Sequence, residues 1–212
     1  RSLEDLKLHD KCLVMVLENV ENPGNLGAVL RIADAVGADA VLVTGDGTDL
    51  FNPNVLRASR GAFFSVPAVQ CHVGEARDFL HENGVKVLAT TPSATTPYTA
   101  ADFTGKVALV LGCEHDGLSD AWLKDEGSEA VRIPMRGRGD SLNVSTAAAV
   151  ILYEAMRQRE AVGLYGSRQL DPEVRERLRF EWMHPALAQF CREKGADYPE
   201  LDAEGEVVGV VP

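Results

Sequence analysis

The sequence predicts an α/β protein with a mainly parallel sheet and helices on both faces. Short segments that are apolar at every position alternate with segments whose apolar residues repeat at helical spacing. Strands that are apolar throughout are typical of parallel sheets, because helical crossovers cover both faces of such a sheet. A chain of 212 residues is long enough for one well-packed domain and an appendage.

Six segments are predicted strands, and four longer or more polar segments between and after them are predicted helices. The strands are expected at residues 13–18, 40–44, 65–69, 86–91, 107–112 and 130–134, and the helices at 25–36, 54–59, 75–81 and 143–159. The pattern breaks around residues 163–167, and Asp171-Pro172 then starts a new helix as N-cap and first helical residue. We therefore expect a main domain over residues 1–160 and a helical C-terminal extension with an acidic tail over 161–212.

Composition predicts a cytoplasmic protein with reduced thiols. No apolar run approaches the roughly 20 residues that span a bilayer, and the opening RSLEDLKLHDK lacks the apolar segment of a signal peptide. The four cysteines lie far apart and form no C-x-x-C pair, which argues against a metal site or a disulfide scaffold. Because the chain begins with Arg1 rather than Met, we expect that residues upstream are missing.

Charge is distributed unevenly along the chain. The net charge of −11 by itself argues against a nucleic-acid partner. Every charged residue after residue 196 is acidic, however, whereas arginines cluster at residues 57–60, at 132–138 and between 157 and 179. Local potential matters more than net charge for binding a phosphate backbone, so an RNA partner stays open.

The first segment that points to chemistry is ENPGNLGAVLR, between a predicted strand and a predicted helix. Open α/β sheets bind ligands at this position, where helix N-terminal amides assist. Asn22 and Asn25 can cap the helix or contact a ligand, and Gly24 and Gly27 permit close backbone approach. A capped turn followed by a surface arginine, Arg31, explains the segment equally well. The absence of a G-x-G-x-x-G fingerprint argues against a nucleotide-dependent oxidoreductase.

Two further segments place polar residues after buried strands. In LVLGCEHDGLS, Glu114 follows a strand end, where a carboxylate can orient a neighbour or simply be a solvated loop acid, and His115 is expected to be an exposed loop histidine. In IPMRGRGDSLNVSTAAAVILYE, a strand end leads into a loop with two arginines, after which Ser141 and Asn143 cap the long helix.

Together and in this order, the three segments resemble the motifs of the SpoU family of RNA ribose 2′-O-methyltransferases. The matching patterns are N-P-x-N-L-G-x-x-x-R, G-x-E-x-x-G-L-S and I-P-M…S-L-N-V-S, and the resemblance covers residues 13–159. It implies a deep trefoil knot in the C-terminal part of the domain, a homodimer, and S-adenosylmethionine as the cofactor. Other knotted methyltransferases, which modify bases, lack this motif set.

The resemblance also implies roles for individual residues. The catalytic residues would be Arg31, Asn25, Glu114, Ser141 and Asn143; the cofactor would contact Thr90, Leu111, Gly112, Ile133, Met135 and Leu142; RNA contacts are expected at Arg60, Arg136 and Arg138. Arg31 matches the catalytic arginine of the family, and two roles are open to it. It can lose a proton with the help of a substrate phosphate, or stay cationic, anchor that phosphate and stabilise the developing alkoxide. Guanidinium groups normally stay protonated, which favours the second role.

The sequence contains two indications of the substrate RNA. The order R-L-x-F-E…P-A-L-A…K-G-x-x-Y-P after the core resembles the C-terminal extension of tRNA guanosine methyltransferases that act on the D-loop. Residues 51–67 are more similar to the ribosomal-RNA members, and Cys113 and His115 depart from the usual second motif. We favour tRNA, with ribosomal RNA methylation and a catalytically silent RNA-binding dimer as alternatives.

Overall fold

The computed structural model describes residues 2–113, 116–165, 172–202 and 204–208. The chain divides into two compact units, Arg1–Leu164 and Tyr165–Pro212. The first unit contains a sheet of seven strands in the order β3-β2-β1-β6-β4-β7-β5, and all of its strand pairs are parallel. This confirms the predicted α/β class. The strands are β1 (Leu13–Glu18), β2 (Ala40–Thr44), β3 (Ala68–Cys71), β4 (Lys86–Thr90), β5 (Thr96–Pro97), β6 (Val107–Leu111) and β7 (Ser128–Arg132).

Helices cover both faces of the sheet, as predicted. The helices of this unit are α1 (Pro23–Ala35), α2 (Pro53–Ser59), α3 (Ala62–Ser65), α4 (Val73–Glu82), α5 (Asp120–Leu123) and α6 (Val144–Ala161). The side chains of Leu13, Met15 and Leu17 in β1 pack in one apolar layer with α1, α2, α3 and α6. Val14 and Val16 point to the opposite layer, which contains residues of α4 and α5. The alternation follows from strand geometry, in which successive side chains point to opposite faces.

The structure corrects the prediction of a strand at residues 65–69. Residues 62–65 form α3, and β3 begins only at Ala68. Two consecutive residues with positive φ, Arg60 at 49° and Gly61 at 95°, end α2 and redirect the chain into α3. Pro67 has no N–H to donate, although its carbonyl accepts a hydrogen bond from the Val41 amide at 2.8 Å. The pairing with β2 therefore starts one residue after the proline.

Smaller deviations concern the ends of elements. Helix α1 begins two residues earlier than expected, because the side-chain oxygen of Asn22 accepts hydrogen bonds from the amides of Gly24 and Asn25 at 2.7 and 3.3 Å. Strand β7 ends at Arg132, so that Ile133 belongs to the following loop. The short elements α5 and β5 were not predicted.

The second unit consists of two helices and a small hairpin. They are α7 (Pro172–Met183), α8 (Pro185–Lys194), β8 (Glu200–Leu201) and β9 (Val207–Val208). The buried ring of Phe180 stacks on Tyr198 with a centroid distance of 4.8 Å, and a ring nitrogen of His184 donates to the Gly205 carbonyl at 2.8 Å. The predicted N-cap Asp171 lies outside the described residues.

Two expectations about the whole chain have different outcomes. Among the residues that the structure describes, no helix combines the length and the apolar character needed to cross a membrane. The threading of the chain as a trefoil knot stays a prediction.

Candidate active site

All strands of a parallel sheet end at the same edge, where open α/β folds bind their ligands. A cavity of about 350 Å³ lies at this edge, formed by the segments after β4, β6 and β7 and by the start of α6. The six residues predicted to contact a cofactor come from four separate stretches of sequence, and all six line this cavity: Thr90, Leu111, Gly112, Ile133, Met135 and Leu142.

Gly112 allows the loop after β6 to fold back against the strand end. A Cβ atom at this position would lie 2.1 Å from the carbonyl carbon and oxygen of Gly117. The Gly117 amide donates to the Cys113 carbonyl at 3.2 Å, and Gly117 has a positive φ of 68° that favours glycine. One wall of the cavity is therefore main chain packed on main chain. Glu114 and His115, in the middle of this loop, lie outside the described residues.

Asn143 connects the first and third sequence motifs. Its side-chain oxygen caps α6 by accepting hydrogen bonds from the amides of Ser145 and Thr146 at 3.0 and 3.4 Å. Its Nδ2 group donates to Oδ1 of Asn25 at 3.2 Å. Two motifs that are far apart in sequence thus meet at the start of α6. The predicted capping pair is half correct, since Ser141 precedes the cap and lines the cavity instead.

The opposite end of α6 is fixed to the segment before β6. The guanidinium of Arg159, which is buried, donates to the Phe103 carbonyl at 2.7 Å. The side chain of Gln158 accepts from the Phe103 amide and donates to the Ala101 carbonyl, both at 3.0 Å. Hydrogen bonds from Arg157 and Gln158 hold the pKa of the Glu154 carboxyl down at about 2. Helix α6 is therefore anchored at both ends.

Arg31 lies on α1, six residues after Asn25, with an exposed side chain. Within the described part of the chain its guanidinium has neither a hydrogen bond nor an ion pair. Arg136 and Arg138 are exposed in the loop between β7 and α6, and Arg60 is exposed at the end of α2. None of these four arginines lines the cavity. They can meet an anionic ligand from solvent.

Gly27 lies where α1 packs closely against α2. A Cβ atom there would lie 2.5 Å from the Cβ of Ala58 and 2.8 Å from the carbonyl oxygen of Val55, both in α2. Gly27 therefore permits close contact between α1 and α2, not the approach of a ligand. The close backbone approach predicted at Gly27 is thus present, and the neighbouring backbone is that of α2.

The polar groups of the cavity define what it can bind. The hydroxyl of Thr90 is buried and has no hydrogen-bond partner among the described residues. A buried hydroxyl without a partner is costly, which suits a ligand that supplies one. Asp116 and Asp140 also line the cavity, and their carboxylates suit a ligand with positive charge.

Comparison with known proteins identifies the family. A model of the SpoU rRNA Methylase family matches residues 12–153, and a model of the C-terminal region of SpoU rRNA methylases matches residues 157–209. The chain belongs to the SpoU methylase family.

Relatives of this SpoU protein act on two kinds of RNA. The tRNA (guanosine(18)-2′-O)-methyltransferase of Escherichia coli K12 is 33% identical over 98% of this chain and 91% of its own length. The enzyme of the same name from Thermus thermophilus is 39% identical over 85% of this chain and 92% of its own. A 23S rRNA guanosine-2′-O-methyltransferase of Ralstonia nicotianae is 40% identical over 71% of this chain and 60% of its own length.

A solved structure supports the cofactor assignment. The SpoU methyltransferase AviRb of Streptomyces viridochromogenes, crystallised with the cofactor AdoMet, aligns with a TM-score of 0.71 and 34% identity over 76% of this chain and 62% of its own. Together with the relatives, it confirms the predicted class of enzyme, an RNA 2′-O-methyltransferase that uses S-adenosylmethionine.

Sequence reasoning missed one buried residue of this SpoU domain. Glu18, at the end of β1, is 1% exposed, and its carboxylate accepts hydrogen bonds from the amide and the hydroxyl of Ser119, each at 2.7 Å. Ser119 ends the G-x-E-x-x-G-L-S loop. The sequence signal that could have found it is the acidic residue at the end of the otherwise apolar LVMVLE strand. A carboxylate buried at that position needs hydrogen-bond donors from elsewhere in the chain. Glu18 is therefore a positioning residue for this loop.

Proposed function

We propose that this chain methylates the ribose 2′-hydroxyl of a guanosine in the D-loop of tRNA. The observation that carries the choice of tRNA is the extent of the similarity. The tRNA methyltransferase of E. coli aligns over 98% of the chain, including the C-terminal unit, whereas the rRNA methyltransferase of R. nicotianae aligns over 71%. Methylation of ribosomal RNA is the second candidate, favoured by the higher identity of 40% within the aligned part.

The cavity fits S-adenosylmethionine, which supplies an electrophilic methyl group on a positively charged sulfur. Apolar side chains of Ile133, Met135 and Leu142 would enclose the adenine, and main-chain groups at Leu111 and Gly112 would bind its edge. The unpartnered Thr90 hydroxyl has room for a hydrogen bond to the cofactor. The carboxylates of Asp116 and Asp140 would attract its cationic groups.

Arg31 would stay cationic and act on the substrate. An exposed guanidinium that has no partner among the described residues can bind the phosphate next to the target ribose by two parallel hydrogen bonds. The same charge would stabilise the alkoxide that develops on the 2′-oxygen as its proton passes to solvent water, while the methyl group would leave the sulfur, which becomes a neutral thioether. Asn25 and Asn143, joined by their hydrogen bond, would orient the ribose together with Ser141. Glu114, which lies outside the described residues, would share this task.

The remaining parts of the proposal concern partners and location. Arg60, Arg136 and Arg138 would contact RNA phosphates, in line with their exposure. We further propose that the protein is a homodimer in the cytoplasm, with the chain threaded as a trefoil knot. The support for these three points is membership of the family and the absence of a membrane-spanning helix among the described residues.

A labelling experiment tests the reaction and the substrate together. The full chain is incubated with methyl-labelled S-adenosylmethionine and either unmodified tRNA or unmodified ribosomal RNA, and ribose methylation is mapped by nuclease resistance. We expect label at one guanosine of the tRNA D-loop. Label in ribosomal RNA alone would overturn the choice of tRNA, and no label in either RNA would overturn the activity.

A further inference from the structure

Two phenylalanine rings of the first unit lie largely in solvent. Phe51, just before α2, is 61% exposed, and Phe64, within α3, is 74% exposed. Phe63 packs partly against the core and contacts both rings edge-on, with centroid distances of 5.6 Å to Phe51 and 5.3 Å to Phe64. Phe63 thus contacts the rings of Phe51 and Phe64 on their inner side, while their outer surfaces are exposed to solvent. Clustered exposed aromatic side chains mark interaction sites.

The charge around these rings suits a polyanion. Residues 50–74 contain no acidic residue, although the whole chain has 32 of them, and the preceding Asp49 accepts a hydrogen bond from the Phe51 amide at 2.9 Å. The same segment contains two exposed arginines. Arg57 lies in the last turn of α2, and Arg60 is the residue that ends this helix. Arg57 donates to Oδ1 of Asn54 at 3.2 Å, and within the described residues neither arginine forms an ion pair. We call Phe51, Arg57, Arg60, Phe63 and Phe64 the α2–α3 surface.

The backbone of Arg60 gives a further indication. It adopts a left-handed conformation with φ of 49°, which glycine and asparagine enter more easily than arginine. A glycine would adopt this conformation without steric cost. Of the two consecutive residues with positive φ, however, only Gly61 is a glycine, and Arg60 occupies the first position. The conformation does not require a long cationic side chain, and the exposed guanidinium is available to a ligand.

The α2–α3 surface is fixed to the helix that carries the proposed catalytic residues. At Gly27 the helices α1 and α2 approach so closely that a Cβ atom would overlap Ala58. Asn25 lies two residues before this contact and Arg31 four residues after it. A ligand held on the α2–α3 surface is therefore held at a constant position relative to Arg31.

We infer that the α2–α3 surface binds an unpaired stretch of the RNA substrate, with Phe51 and Phe64 stacking on nucleobases and Arg57 and Arg60 pairing with phosphates. This inference rests on the proposed function. Bases inside a duplex are stacked on one another and offer no free face, whereas loop bases can turn outward onto aromatic rings. The surface would thus select an RNA loop over a stem.

The test compares substitutions that keep or remove an aromatic face. Binding of an unmodified tRNA transcript and of a fully paired RNA duplex is measured by fluorescence anisotropy, alongside KM for tRNA. In Phe51→Ala and Phe64→Ala we expect tRNA binding to weaken about tenfold each, a typical loss for one stacked base. Phe64→Tyr keeps the wild-type affinity and Phe64→Leu does not. Duplex binding and the affinity for S-adenosylmethionine stay unchanged, as does every property of the control Val162→Ala, which removes an exposed apolar side chain elsewhere.

Three results would overturn the inference. These are unchanged tRNA binding in both alanine variants, an equal loss on the duplex, and full recovery by leucine. Conversion of a dimer to a monomer in the Phe51→Ala/Phe64→Ala variant would also overturn it, because a second copy of the chain would then cover the rings. Since binding is measured without catalysis, a wild-type protein that binds tRNA but transfers no methyl group would count against the proposed function alone.

Discussion

The cavity and the proposed RNA-facing surface of this SpoU domain differ in how their side chains are held. Main-chain packing at Gly112 and the hydrogen bonds of Asn143 and Glu18 fix the walls of the cavity. The arginines of that second surface, by contrast, are exposed and form no ion pairs within the described residues. The difference indicates that one ligand enters a formed pocket, whereas the other must neutralise charges that the protein leaves unpaired. The arginines of this RNA-facing surface are Arg31, Arg57, Arg60, Arg136 and Arg138.

The largest effect is expected at Arg31, where the comparison can be tested most directly. Arg31→Ala should lower kcat/KM for tRNA by about a hundredfold to a thousandfold, because the charge that stabilises the alkoxide is gone. Affinity for S-adenosylmethionine, measured by calorimetry, should not change, since Arg31 does not line the cavity. Arg31→Lys keeps the charge without the two parallel donors and should recover activity in part. Loss of cofactor binding in Arg31→Ala would contradict the separation of the cofactor cavity from the surface that carries Arg31.

The second effect concerns the rigidity of the cavity. In Gly112→Ala the new methyl group would overlap the Gly117 backbone, so the loop after β6 must move. We expect loss of cofactor binding in calorimetry and destabilisation by about 1–3 kcal/mol in thermal unfolding. Gly74→Ala is the matched control, because that glycine lies in α4 with no atom within 4 Å of the added Cβ. If Gly112→Ala bound the cofactor with wild-type affinity, the loop after β6 would be able to move without disturbing the cavity.

A smaller effect is expected at Glu18. Glu18→Gln keeps the size but removes the charge: the amide oxygen can still accept from the Ser119 amide, while the Ser119 hydroxyl must turn to accept from the new NH2 group, so hydrogen bonds to a buried charge become weaker neutral ones. Hydrogen bonds to a charged group are worth about 1.5–3 kcal/mol. We expect a higher KM for S-adenosylmethionine at nearly constant kcat, because Glu18 holds the loop and touches no reacting atom.

Ser119→Ala serves as the partner variant for Glu18→Gln. It removes the hydroxyl bond but keeps the amide bond, and should have a milder effect on the same KM. In the double variant the two effects should be less than additive, because both act through one contact. Full additivity would mean that Glu18 acts independently of the loop.

Local patterns in the sequence predicted most strands of the sheet, whereas the residues around the cavity were predicted from the resemblance to the SpoU family. Strands that are apolar throughout indicated the parallel sheet, and the residues that follow three of them, with the start of α6, were predicted to line one pocket. The register of β3 was not predictable, since it depends on pairing with β2 and on the turn at Arg60. The contact of Gly27 with Ala58 and the bond of Glu18 to Ser119 join distant segments and likewise needed the structure. The roles of the site residues stay predictions.

The interior position of β1 in the sheet has a consequence for the synthesis of the chain. β1 pairs on one side with β2, which follows shortly after it, and on the other with β6, so that Leu17 lies opposite Leu111. A ribosome must therefore deliver most of the domain before the second edge of β1 finds its partner. Until then an apolar strand edge stays open to other chains, a known route to aggregation. Newly made protein should accordingly depend on chaperones more than its final stability suggests.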